Sequence, residues 1–303
     1  MLHTTPRRTP PCPCPEGSAI VSDPSSVIDD LREESEEVDR LVAGLGPGEW
    51  GLATPAAGWS VAHQVGHLAW TDRSALLAVT DAAGFQGLVE QALAAPHTFV
   101  DEGAEEYARL APAELLARWR EGRAALEKGL RSAPPGTRFP WYGPPMSVAS
   151  MATARLMETW AHGLDIADAI GVPRPPTDRL RHVAWLGVRT RDFAYGAHGL
   201  TPPADPFRVE LVAPGGERWA YGPADAPQRV TGPALDFCLL VTQRAHRADL
   251  ALTAEGPDAD RWLDVAQAFA GPPGGGRPPK GEAGDGPGHP PKGETGDGPG
   301  RTP

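Results

Sequence analysis

The run MATARLMETWAHGLDIADAIG, residues 151–171, constrains the fold more than any other stretch of the chain. Its composition favours one long helix, and Gly171 with Pro173 beyond it marks the end. At 100° per residue, Arg155, Glu158, His162 and Asp165 fall within an arc of roughly 80° on one face of that helix. A carboxylate and an imidazole one turn apart suit a single divalent ion, because ligand bonds of about 2 Å match the i,i+4 separation. A further ligand must come from elsewhere, and WSVAHQVGHLAW carries two candidates, His63 and His67. Three protein ligands from two helices leave one coordination position open, which distinguishes a catalytic zinc site from a structural one. The plainer alternative is a solvated helix on which Arg155 and Glu158 form an i,i+3 ion pair worth a few tenths of a kcal/mol.

Composition removes several function classes. The chain has 303 residues and a net charge of −11, with no basic stripe, so the phosphate neutralisation that drives nucleic-acid binding is missing. No run of about 18 apolar residues predicts a membrane span. Cys12 and Cys14 lie in a Pro-rich leader and Cys238 in an apolar run, which is no disulfide framework and fits a reducing cytoplasm. Arg7 and Arg8 lack the apolar region that an export signal would need. Residues 1–23 and 272–303 read as disordered, the second containing PPKGEAGDGPGHP and PPKGETGDGPGRT, a repeat with no apolar side chain to stack.

Between these tails the periodicity predicts an α+β protein in two parts. Residues 24–175 hold helices over about 24–45, from Ser60 onward, over about 112–131, and from Ser147 to Gly171, with short helical pieces over 84–110. Four such helices predict a bundle. On the second, His63 and His67 lie roughly 100–160° from the stripe of Val61, Val65, Leu68 and Leu76, placing an ion at the bundle edge. Residues 176–271 predict a helix over 177–198, a hairpin around Gly215 and Gly216, the strand RVTGP, a helix over 235–246, the strand DLALTAEG and a last helix.

The segments GWSVAHQVGHLAWTD, ARLMETWAHGLDIADAIG and VTGPALDFCLLVTQR resemble the DinB-like metal-binding superfamily. In particular they resemble the mycothiol-dependent maleylpyruvate isomerase group and its two-domain actinobacterial relatives. The resemblance covers residues 24–271. It implies a four-helix bundle followed by a smaller sterol-carrier-like α+β domain, with a metal, usually zinc, held by His67, Glu158 and His162. His63 departs from the common acidic or polar residue and adds a second candidate ligand. The resemblance further implies mycothiol as cosubstrate, ionised at the metal, with Arg155 and Asp165 orienting Glu158 and His162 by hydrogen bonds. It makes Arg244 a cleft-facing cation for a substrate carboxylate, although an Arg at a helix C-terminus is also a routine dipole partner. Trp141, Tyr142 and Met146 are expected at the pocket mouth, binding cosubstrate, against the alternative of ordinary loop packing.

These expectations describe a cytoplasmic zinc enzyme, monomeric or weakly dimeric, that transfers a thiol to a small electrophile or isomerises the adduct. The competing readings are a non-catalytic metal protein holding an apolar ligand and a metal-dependent hydrolase.

Overall fold

A computed structural model describes residues 24–271 and 273–281. The expected disordered leader, 1–23, and the repeat from 282 onward lie outside the described residues.

Amphipathic periodicity becomes α1 (Ser25–Val42), which buries Val27, Leu31, Val38 and Val42. Helix α2 (Val61–Thr80) begins at Ser60. The irregular stretch after it resolves into α3 (Ala82–Ala94) and α4 (Phe99–Ala108). Helix α5 (Pro112–Ser132) carries Pro112 in its first turn, where the missing N–H costs nothing. A two-stranded ribbon, β1 (Arg138–Phe139) with β2 (Met146–Ser147), leads into α6 (Val148–Ile170). The Ser147 hydroxyl accepts from the Ser150 N–H at 3.1 Å, and Gly171 ends α6 in the left-handed conformation, φ 67°.

Helices α1, α2, α5 and α6 form the bundle, and α4 packs along α2. Its interior is two apolar clusters. One contains Val27, Ile28 and Leu31 of α1, Ala75 and Ala78 of α2, Leu126 and Leu130 of α5, and Met151 to Ala161 of α6. The other contains Val38 and Val42, Val61 to Trp70, Leu115 to Trp119, and Ile166. Each helix also contributes polar side chains: Glu34, Ser35 and Asp39, then Thr71 and Asp72, then Arg120 and Arg123, then Arg155, His162 and Asp165. All but the two α5 arginines are buried, and the arginines both bind the Asp39 carboxylate. Buried polar pairs therefore link the four helices.

The C-terminal part is the α+β unit expected. Thr190 divides the long helix into α7 (Leu180–Arg189) and α8 (Arg191–Ala197). Its hydroxyl bonds the Gln267 carbonyl at 2.7 Å, an alternative partner that draws the backbone off the helical path. Strands β3 (Phe207–Val212), β4 (Arg218–Tyr221), β5 (Gln228–Pro233) and β6 (Thr253–Glu255) form a sheet ordered β4-β3-β5-β6. β3 and β4 are the hairpin, β3 and β5 run parallel, and β5 and β6 antiparallel. Helices α9 (Ala234–Val241) and α10 (Pro257–Val265) cover it. The larger apolar cluster runs without a break from α6 through Leu180 and Val183 to Val209, Phe237 and Trp262.

Helix α2 is buried on nearly every side, including Gln64, Gly66 and His67, so the bundle-edge position read from its apolar stripe is corrected. The stripe marks only the face toward apolar neighbours, while α4, α5 and α6 enclose the rest. Gly66 permits this: a Cβ there would lie 2.7 Å from the Ala104 carbonyl oxygen on α4. Gly66→Ala is therefore expected to cost about 1–3 kcal/mol by forcing a backbone shift. Urea denaturation checks this, and an unchanged midpoint would contradict the close α2–α4 approach.

Candidate metal centre

The segment before α2 doubles back through a bridge between Ala53 and Ser60, and Ser60 then caps the helix. The Ser60 N–H donates to His63 Nδ1 at 3.2 Å. Nδ1 is thus unprotonated, and Nε2–H donates to Glu105 Oε2 at 2.7 Å. Both ring nitrogens of His63 are engaged in fixing the α2 terminus and tying it to α4.

One turn on, His67 faces α6. His67, Glu158 and His162 bring one ligand atom each within 4.8 Å of one another. Nε2 of His67 lies 3.3 Å and Nε2 of His162 3.1 Å from the same carboxylate oxygen, Oε2 of Glu158. The histidine side chains are 8% and 11% exposed and Glu158 is 21% exposed, so the group opens toward solvent on the Glu158 side.

A chain of hydrogen bonds fixes the protonation of His162. The Thr54 hydroxyl donates to the Trp59 carbonyl at 2.9 Å and so accepts from Gln64 Nε2 at 2.8 Å. That orients the Gln64 amide with Oε1 toward His162, where Nδ1–H donates to it at 2.5 Å. Burial and the neighbouring His67 and Arg244 outweigh Glu158 and push the His162 pKa down to about 4. Its ring is neutral at pH 7, with its one proton on Nδ1 and a lone pair on Nε2 facing Glu158. A carboxylate oxygen and a nitrogen lone pair about 3 Å apart repel unless a proton or a metal cation lies between them. This donor set, two imidazoles and one carboxylate, fits a divalent ion with one position left open.

Trp59 roofs the group, its ring stacked 5.9 Å from His162 and tilted against His67 at 5.3 Å. Its Nε1–H donates to Asp101 at 3.0 Å. The sequence reading assigned no role to Trp59 or Gln64. The available signals were an aromatic just before a helix cap and a glutamine three residues before His67, on the same helical face.

Arg155 and Asp165 do not take the partners expected. Arg155 Nε donates to Asp72 Oδ1 at 2.9 Å and Nη2 to the Thr71 hydroxyl at 2.5 Å. Helical side chains lean toward the N-terminus, which carries Arg155 away from Glu158 and onto α2. Its effect on the site is indirect, because Thr71 in turn donates to the His67 carbonyl at 2.7 Å. Asp165 is bound by Arg244 Nη2 at 2.8 Å and Arg277 Nη2 at 2.6 Å. Residues 273–281, placed in the tail by composition, thus lie against the bundle.

Arg244 reaches Asp165 because α9 stops at Val241, short of the expected 246. Gln243 adopts φ 58°, a left-handed conformation costing roughly 1–2 kcal/mol, and the Arg244 N–H folds back to the Leu239 carbonyl at 2.8 Å. Nη1 of Arg244 holds the Thr242 carbonyl at 2.7 Å, and its buried Nε has no protein partner.

Trp141, Tyr142 and Met146 are corrected to loop packing. Trp141 stacks on Phe85 at 5.5 Å, Tyr142 contacts Phe85 and Phe99, and all three pack on the larger apolar cluster. Cys238 is buried, and burial pushes its thiol pKa well up, leaving it inert.

Residues 31–167 match the mycothiol maleylpyruvate isomerase N-terminal domain family, and residues 203–255 match the wyosine base formation family. Two Mycobacterium tuberculosis proteins, uncharacterized protein Rv0036c and uncharacterized protein MT0041, are each 59% identical over 257 residues, 85% of this chain and 100% of theirs. Two crystal structures of mycothiol-dependent maleylpyruvate isomerase superpose on it, one of them a histidine-to-alanine mutant. Their TM-scores are 0.52 and 0.50 at 16% identity, over 78% of this chain and 95% of theirs. At that identity the likeness is one of fold.

Two outcomes follow from the geometry. Arg155→Ala leaves the Asp72 carboxylate buried beside Trp119 alone and is expected to cost about 3–5 kcal/mol, measured by chemical denaturation. In metal-free protein, His162 has a folded pKa near 4 against an ordinary 6.5, so the unfolded chain binds more protons between these values. Its contribution to stability is complete above pH 6.5 and falls with pH, by about 3 kcal/mol at pH 4. Denaturation midpoints of His162→Gln should lack this component.

Proposed function

Residues 31–167 of this chain belong to the mycothiol maleylpyruvate isomerase N-terminal domain family, and on that premise we propose that the protein is a metal-dependent enzyme using a low-molecular-weight thiol such as mycothiol. The reaction class is thiol transfer to, or isomerisation of, a small electrophile that bears a carboxylate. The observation that carries this reading is the convergence of His67, His162 and Glu158 with the His162 lone pair turned inward. A divalent ion there, zinc by the chemistry of the donor set, supplies the Lewis acidity that ionises a thiol near neutral pH.

The chain's own groups supply the rest. Gln64 holds the His162 tautomer, Trp59 keeps water from the two imidazoles, and Arg244 sets a fixed positive charge near the group where a carboxylate could dock. No protein nucleophile is required, and Cys238 is not one. A cytoplasmic setting, where free thiols stay reduced, suits this chemistry. Among the described residues no helix is long and apolar enough to cross a membrane. The wyosine-family match covers the C-terminal sheet and includes none of the three ligand candidates.

Mycothiol added to cobalt-loaded protein is expected to produce an intense near-ultraviolet band, lost in Glu158→Ala. His67→Ala should abolish metal loading, whereas His63→Ala should leave the stoichiometry near one and lower helix stability by about 1 kcal/mol through the lost cap. Full metal loading with a cobalt spectrum indifferent to thiol would replace thiol chemistry with hydrolysis or ligand storage.

A further inference from the structure

Asp165 sits at the junction of three elements. It lies on α6 one turn after His162, its side chain is 3% exposed, and each carboxylate oxygen accepts from a different guanidinium. Arg244 follows α9, and Arg277 comes from the glycine-rich segment 273–281. A second nitrogen of Arg277 binds Asp168 at 2.9 Å, so its planar fork spans two carboxylates three residues apart on one helix face, a geometry lysine cannot copy. The same segment touches the residue before Arg244: a Cβ on Gly274 would lie 2.8 Å from Gln243 Oε1. Gln243 is the one non-glycine residue of positive φ among those described, and it sets the direction in which Arg244 leaves α9. The segment thus touches both supports of the Arg244 guanidinium, its backbone approach and its carboxylate anchor. Beside Arg277 and Gln243 a cavity of about 560 Å³ is lined by His198 and Leu263 among others.

We infer that Arg277 is a positioning residue for anion recognition: by holding one oxygen of Asp165 and the Asp168 carboxylate, it fixes the other Asp165 oxygen so that Arg244 is presented to a small carboxylate ligand. The inference rests on the reading of Arg244 as the substrate-facing cation. Without Arg277, Asp165 would be free to turn and to engage Arg244 with both oxygens, drawing that charge out of use.

The test is calorimetric titration of zinc-loaded full-length protein with maleate, a simple dicarboxylate. Arg277→Ala is expected to weaken binding about tenfold and Arg277→Lys about threefold, with metal content unchanged. In an Arg244→Ala background, Arg277→Ala should add nothing, the signature of residues acting as one unit. Equal affinity in Arg277→Ala, full additivity of the two substitutions, or tighter binding once Arg277 is removed would each overturn the inference. So would failure of the unaltered protein to bind maleate. The thiol response of the cobalt protein separates the two readings, because it depends on the metal ligands and not on Arg277.

Discussion

The buried polar pairs that link the bundle helices are the constraint from which the site follows. Burying charged and hydrogen-bonding groups is costly unless every one is paired, and here the pairing partners sit on different helices. Asp72 of α2 receives Arg155 of α6 and Trp119 of α5. Asp39 of α1 receives Arg120 and Arg123 of α5. Glu34 of α1 receives Arg174 and Arg179 from the chain just beyond α6. Sliding any of these helices by one turn would strand a buried charge. Apolar packing alone tolerates such slips, so the pairs fix register. With register fixed, His67 on α2 and the Glu158–His162 pair on α6 meet at one height.

The two imidazoles are held in different ways. His162 is locked by a relay that starts at a backbone carbonyl in the turn before α2 and ends on its own Nδ1. His67 has no partner on Nδ1 and is held by ring contacts, with His162 at 4.4 Å and Trp70 at 6.0 Å. Rotation of His162 would break a hydrogen bond in a buried setting, whereas rotation of His67 is opposed by sterics. The more firmly held ligand lies on the helix that also carries Asp165, so metal and anion recognition share one rigid element.

Local signals were strong in the sequence. Ser60, Ser147, Pro112 and Gly171 mark helix boundaries through their own backbone chemistry, and the structure places them at those ends. The spacing on α6 singled out Glu158 and His162 because a helix converts spacing into direction. What escaped the sequence depends on which element lies opposite. Arg155 looked like a partner for Glu158 because both lie on one face, yet its side chain points the other way and its partners are on α2. The α2 stripe suggested an edge position for His67, since a helical wheel does not show that α4 and α6 close over the polar side. Residues 273–281 lack any apolar pattern, and their placement comes from one arginine meeting two carboxylates. The early stop of α9 at Val241 leaves no composition signal at all.

The larger apolar cluster passes from α6 into the C-terminal sheet with no polar boundary. The two sequence-defined parts are therefore expected to melt as one cooperative unit, not as beads on a string. Ligand binding energy at His67, Glu158 and His162 would then be felt as far away as the β4 edge of the sheet, because opening that sheet uncovers the wall on which the site stands. Separate expression of either part would expose that wall to solvent.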